Sequence, residues 1–142
     1  MKVTNADVAK RALFGLLDAQ TQVSELLYDV QVDYVDPAQD SRREAIFFGL
    51  TRSAIQQEAD FPLETATFPC YVQVSVPELD PQAAEQRAIA IGQVVRDLMK
   101  VNPLPCGPNS WWHVVATELA AGRSADESRI LLTLMVQVIS YL

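Results

Sequence analysis

The chain has 142 residues, 49% of them hydrophobic, with 11 Lys and Arg against 18 Asp and Glu for a formal charge of −7. That length predicts one domain, residues 1–142, able to bury its own core, and the hydrophobic content excludes a disordered chain. The acidic balance argues against coating nucleic acid or docking on anionic lipid, since both need clustered Lys and Arg.

The first stretch, "MKVTNADVAKR", has no apolar core of signal-peptide type, so synthesis in a cytoplasm is the default expectation. A helix is predicted directly after it. Thr4 is its cap, with Asp7 reaching back as in a capping box. Val8, Ala12, Leu13, Leu16 and Leu17 recur at helical spacing, and the end falls near Asp18 or Ala19.

"LYDVQVDYVDP" alternates. Tyr28, Val30, Val32 and Tyr34 fall on one side, and Asp29, Gln31 and Asp33 on the other, which predicts a half-buried strand. The polar run "DPAQDSRR" reads as a hairpin-type loop, and "EAIFFGL" as the return strand. "TRSAIQQEADFPLE" has no clear period and reads as a helical turn or an irregular linker.

A third strand follows in "TATFPCYVQVSV". Phe68, Cys70, Val72, Val74 and Val76 share one face, and Thr67, Tyr71, Gln73 and Ser75 the other. Pro69 has no backbone donor, so it belongs at an edge or a bulge. The second helix carries the clearest signals. Asp80 caps it and Pro81 opens it. Ala84, Ala88, Ile91, Val95, Leu98 and Met99 form its apolar stripe, with Gln86, Gln93, Asp97 and Lys100 opposite. It ends near Val101 or Asn102, because Pro103 disfavours helix just before it. Ile89 projects on the polar side, as an ordinary exposed residue or part of a subunit contact.

"PLPCGPN" is a rigid loop, "SWWHVVATELA" a strand, "AGRSADES" a turn and "RILLTLMVQVISYL" the last strand. The result is an α+β fold: a mostly antiparallel sheet of about five strands with two helices packed on it. The final run is too short for a membrane helix, carries Gln137, and is rich in β-formers. It is apolar on both sides. Ile130, Leu132, Leu134, Val136 and Val138 point one way; Leu131, Met135, Ile139 and Tyr141 point the other. One side meets the helices. The other needs the linker after the second strand, or a neighbouring subunit.

Signals for catalysis are sparse. Cys70 and Cys106 form no C-x-x-C and read as free, partly buried thiols. His113 is the one histidine, and a structural role fits it best. No nucleophile motif, phosphate loop or zinc spacing is present. Asp29 and Asp33, on one side of a strand, lie ~13 Å apart, too far for a glycosidase pair. No catalytic residue, cofactor or metal site is expected.

The order of elements around "LYDVQVDYVDP", "REAIFFGL" and "TATFPCYVQVSVPELDPQAAEQRAIAIGQVVRDLMKVNP" resembles the tail terminator (tail-completion) proteins of long-tailed, siphovirus-type phages, particularly those infecting actinobacteria. The resemblance spans nearly the whole chain. It implies the element order α-β-β-β-α-β-β and a hexameric ring on the head-proximal end of the tail tube, at the tail–neck junction of the virion. Such a ring ends tube polymerisation, contacts the tail tube protein, and meets the head connector or head-closure protein. DNA passes through its channel without specific binding. It implies no cofactor, no membrane and no reaction. Under this reading Ile89, Leu131, Met135, Ile139 and Tyr141 are subunit-interface candidates. Asp29, Asp33, Asp36 and Asp40, with Arg42, Arg43 and Arg123, are lumen- or partner-facing candidates. The loops at 36–43 and 120–128 are placed to touch the tube or connector. Two other classes stay open: another neck or tail component, such as a head-closure or tube subunit, and an unrelated α+β ligand-binding or enzyme domain. A deep pocket holding His113 and a carboxylate would favour the last.

Overall fold

In chain order the elements are α1 (Asn5–Gln20), β1 (Gln31–Val32), β2 (Glu44–Phe48), β3 (Arg52–Glu58), β4 (Phe61–Val74), α2 (Pro81–Val101), β5 (Ser110–Ser124) and β6 (Glu127–Tyr141). The computed structural model describes residues 5–35, 44–58, 61–75, 81–104, 109–124 and 127–141, with backbone alone at 56–58, 61, 62, 81, 121–124, 127 and 128. The fold is α+β, as expected. Six strands are present among the described residues rather than about five, in the spatial order β1-β2-β4-β6-β5, with β3 also on β4.

Both helices cover one face of the sheet. Leu13 and Leu17 of α1 and Ala84, Ala88, Ile91, Val95 and Met99 of α2 are buried with Phe68, Cys70, Val72 and Val74 of β4. On β6, Ile130, Leu132, Leu134, Val136 and Val138 complete this core. The buried face of α1 is rotated slightly from the expected one. Ala6, Ala9 and Lys10 lie inside, whereas Val8, Ala12 and Leu16 are half-buried. Val76 and the caps at Thr4 and Asp80 fall outside the described residues.

α2 is seated by shape and by polar contacts. A Cβ on Gly92 would come within 2.4 Å of Leu132 Cδ2, so the glycine sets a close helix–sheet approach. The Trp112 indole donates to the carbonyls of Met99 (3.1 Å) and Asn102 (3.2 Å), and Asn102 Nδ2 donates to that of Leu98 (2.9 Å). The indole bond to Met99 satisfies an acceptor that the helix end leaves open, while the Leu98 carbonyl also accepts from the Asn102 amide at 3.0 Å. Arg87 grips both carboxylate oxygens of Glu44 (2.5 and 2.9 Å) and donates to the carbonyl of Leu26 (2.5 Å). One guanidinium thus ties α2 to β2 and to the turn after α1.

Four expectations are corrected. Residues 28–34 are not one strand: 25–29 form turns, and the strand is Gln31–Val32 alone, with one further bond from the Asp33 amide to the Ile46 carbonyl. Asp29 and Asp33 therefore do not share one side of a strand. β1 and β2 run parallel, so they are not the two arms of a hairpin; the residues between them, 36–43, lie outside the described ones. "RSAIQQE" is neither helical turn nor linker; it is β3, antiparallel to β4 from Arg52↔Thr67 to Glu58↔Phe61. The segment read as a turn after residue 120 is also shorter, since β5 runs to Ser124 and β6 starts at Glu127.

Pro69 lies in a central strand, at a point where the partner changes. β2 ends at Phe48↔Cys70, and β3 starts at Arg52↔Thr67. The Gly49 amide donates to the Pro69 carbonyl at 3.0 Å, so Gly49 faces Pro69. Leu50 and Thr51 then stand opposite Phe68 alone, which is a β-bulge. In such a pair the Gly49 carbonyl would accept from residue 69, but proline has no hydrogen to give. Lys10 supplies it instead, its Nζ 2.6 Å from the Gly49 oxygen. That ammonium is buried, 5.0 Å from the Tyr34 ring centroid and 6.0 Å from that of Phe68. Burial lowers its pKa below 10.5, with Asp7 pulling the other way.

Lys10→Met should cost about 1–3 kcal/mol in urea unfolding, because it leaves the Gly49 carbonyl without its donor. The sign of the pH effect follows from the lowered pKa. Between the folded pKa and 10.5 the unfolded chain holds more protons, so the advantage of wild type over Lys10→Met should widen as pH rises through that window. Gly49→Ala should also destabilise, since the new Cβ would lie 2.5 Å from the stiff Pro69 ring.

Candidate assembly surface

The register of β4 against β6 sorts the last strand cleanly. Val72↔Leu132, Cys70↔Leu134 and Phe68↔Val136 face the helices. Gln73↔Leu131, Tyr71↔Thr133, Pro69↔Met135, Thr67↔Gln137, Thr65↔Ile139 and Leu63↔Tyr141 face away. Helices α1 and α2 both lie on the first side, so the second is the open side of a two-layer fold. The linker once expected to cover it is β3, which lies in the sheet itself, beside β4. Leu131, Met135 and Ile139 are half-buried there, shielded by their strand neighbours, and Tyr141 is 49% exposed.

From Leu63 to Gln73 and from Leu131 to Tyr141, no side chain on the open face is charged. Aromatic groups add to it. Phe47 packs against Tyr71 with ring centroids 5.2 Å apart, and Trp111 against Tyr141 at 5.8 Å. A shallow depression of about 640 Å³ opens on this face between Leu50, Arg52, Thr67, Pro69, Tyr71, Glu118, Thr133 and Met135. Arg52 and Glu118 put one charge of each sign at its borders.

Four of the sequence-predicted interface residues, Leu131, Met135, Ile139 and Tyr141, thus come together on one surface. Ile89 does not join them. It is half exposed on α2, and the sheet separates it from the open face. Asp29 is exposed in a turn, and Asp33 is half-buried and accepts from Gln31 Nε2 at 2.5 Å. Asp36, Asp40, Arg42 and Arg43 lie outside the described residues, as does the Arg123 side chain. Trp111 was missed, although "SWWH" held a signal: in a strand one Trp must point in and the next out. Trp112 is buried and Trp111 exposed.

Beside His113 a hollow of about 280 Å³ is lined by Arg96, Met99, Lys100, Trp112, His113 and Val114, with no carboxylate. Cys70 is fully buried and its thiol is pushed up to about 12 by loss of solvent, so it is held as an unreactive core group. Cys106 lies outside the described residues. Among the described residues, no three His, Cys, Asp or Glu side chains are grouped to hold a metal, and no helix is long and apolar enough to cross a membrane.

Comparison with solved structures finds the same fold in a chain of the virion of a native gene transfer agent (GTA) particle. The TM-score is 0.65 at 16% identity, over 98% of this chain and 100% of that one. No protein-family model and no curated protein matches the sequence.

The two faces of β6 should respond differently to truncation in urea unfolding. Leu134→Ala should cost about 2–5 kcal/mol, as expected for a core leucine. Met135→Ala, next along the strand, should cost roughly 1 kcal/mol or less.

Proposed function

We propose that this chain is a structural virion protein that catalyses no reaction and forms a ring at the head-proximal end of a phage tail tube. The ring ends tube polymerisation and presents a surface to the head connector, leaving a channel for DNA. The observation that carries the reading is the open face of the sheet, uncharged from Leu63 to Gln73 on β4 and from Leu131 to Tyr141 on β6, with Arg52 and Glu118 at its borders and with Leu131, Met135 and Ile139 of β6 pointed into it. A monomer with no partner more often keeps such a face polar. The fold shared with a virion chain along the full length of both supports a place in a virion, and the sequence resemblance to tail terminators supports this particular place.

Leu131, Met135, Ile139 and Tyr141 share one face of β6, and in this reading they form the assembly surface. Ile89, on the opposite layer, serves a different contact or none. A net charge of −7 keeps phosphates from adhering to a ring that DNA must traverse. A head-closure or tube subunit is the nearest other reading, since the likeness to a virion chain does not distinguish positions along the neck and tail.

Electron microscopy of purified particles should place this chain in a single ring at the tube–neck junction. Stacked copies along the tail would make it a tube protein instead. Met135→Asp and Ile139→Asp should leave the isolated chain folded by circular dichroism while sharply reducing ring-bearing tails. If either variant unfolds on its own, the open face belongs to the core and the reading loses its main support.

A further inference from the structure

We infer that adjacent copies of this chain join by β-sheet extension, the outer edge of β5 in one copy pairing with the outer edge of β3 in the next. This rests on the ring reading above and names the contact that builds the ring. The two edges lie on opposite sides of one sheet, and among the described residues neither has a further strand beside it. A long, unpaired edge is a ready template for another strand. Lys and Pro, the common guards of such edges, are absent from both Arg52–Glu58 and Ser110–Ser124.

The direction of each backbone donor can be worked out. Tyr141 N donates to the Asn109 carbonyl, which marks odd-numbered residues of β6 as those bonded to β5. After the extra residue Val115, Ala116 pairs with Met135 and Glu118 with Thr133, so their amides point inward. Those of Thr117 and Leu119 point outward. On the other edge, Pro69 faces the side of β2 and β3, so Thr67 and Thr65 do too, and Arg52 and Ala54 bond to them. Ser53 and Ile55 then aim their amides outward.

Side chains at the two edges fit a partner strand. Residues 115–120 are exposed on both faces, and Leu119 and Val115 are large exposed apolar groups. Across the sheet, Ile55 is 61% exposed. Glu118 is the acidic group of the described β5 side chains, and Arg52 the basic group of those on β3. Pairing β5 with a second β5 would set Glu118 near its own copy and stop at a dimer. Pairing β5 with β3 sets opposite charges near one another and is heterologous, as a closed ring requires.

The test uses proline, which removes one outward donor and spares the inner ladder. Leu119→Pro and Ile55→Pro should each fold, with melting temperatures near wild type, and should lower the yield of ring-bearing particles by roughly tenfold or more. Leu119→Ala, which keeps the amide, should stay within about twofold of wild type. Normal ring yield from both proline variants overturns the inference. If the proline variants fail to fold, the wild-type particle map decides: β5 must lie at the ~4.8 Å strand spacing from β3 of the neighbouring copy. A ring whose subunits meet elsewhere sinks the edge pairing and leaves the terminator role intact. Stacked copies joined by these edges do the reverse.

Discussion

Pro69 has no amide hydrogen to give, and it sits in the strand that joins the two halves of the sheet. β4 bonds to β2 and β3 on one side and to β6 on the other. A missing donor in such a strand threatens the whole ladder. The chain confines the damage to one carbonyl, that of Gly49, and brings a lysine from α1 to meet it. Three features then follow from one residue. The strand partner breaks into β2 and β3 with a bulge. Gly49 must lack a Cβ, because the proline ring occupies that space. And Lys10 is buried, which makes its charged form less favourable than in water, while Tyr34 and Phe68 offer ring faces in partial return.

The same lysine links helix to sheet. α1 lies over β4 and β6, and its position is fixed by apolar packing along its length and by two polar anchors. Lys10 is one. The other is Asn5 at the helix start, whose amide donates to Ser140 Oγ (2.8 Å) and Ser110 Oγ (3.0 Å), on paired residues of β6 and β5. α2 has its own pair, Arg87 near one end and the Trp112 indole at the other. Each helix is therefore pinned at two points, and the apolar residues between fill the space. That arrangement holds the sheet's open face in a fixed shape, with no helix of the described residues packed on it.

What could be read in the sequence depended on how each element is stabilised. α2 was legible in full, because a single stripe of apolar residues enters the core and proline marks both its start and its limit. β4 and β6 were legible for the same reason at a period of two. β3 was not, since "RSAIQQE" buries little: residues 52–55 are all exposed, and the strand is held by backbone pairing to β4. Alternation misled at 28–34, where Tyr28 points to solvent and the chain is turning. The candidate surface was half legible. The double apolar character of β6 identified Leu131, Met135, Ile139 and Tyr141. Nothing local in the sequence showed that Ile89 lies behind the sheet from them, or that Arg52 and Glu118 reach the same depression, because both depend on topology.

The composition of the open face fits the proposed role, in which it is bare in the free chain and covered on assembly. A face of large aliphatic groups alone would drive indiscriminate association. A charged face would have to shed its water on docking, at a penalty that pairing often fails to recover. Here Leu131, Met135 and Ile139 alternate with Thr133 and Gln137 along β6, opposite Thr65, Thr67 and Gln73 on β4. Hydroxyl and amide groups keep water on the surface while the chain is free. On contact each can exchange water for a partner hydrogen bond with little electrostatic loss, and the aliphatic groups between them contribute the burial. The charges stand at the borders, where in the proposed assembly Arg52 and Glu118 would select orientation rather than strength.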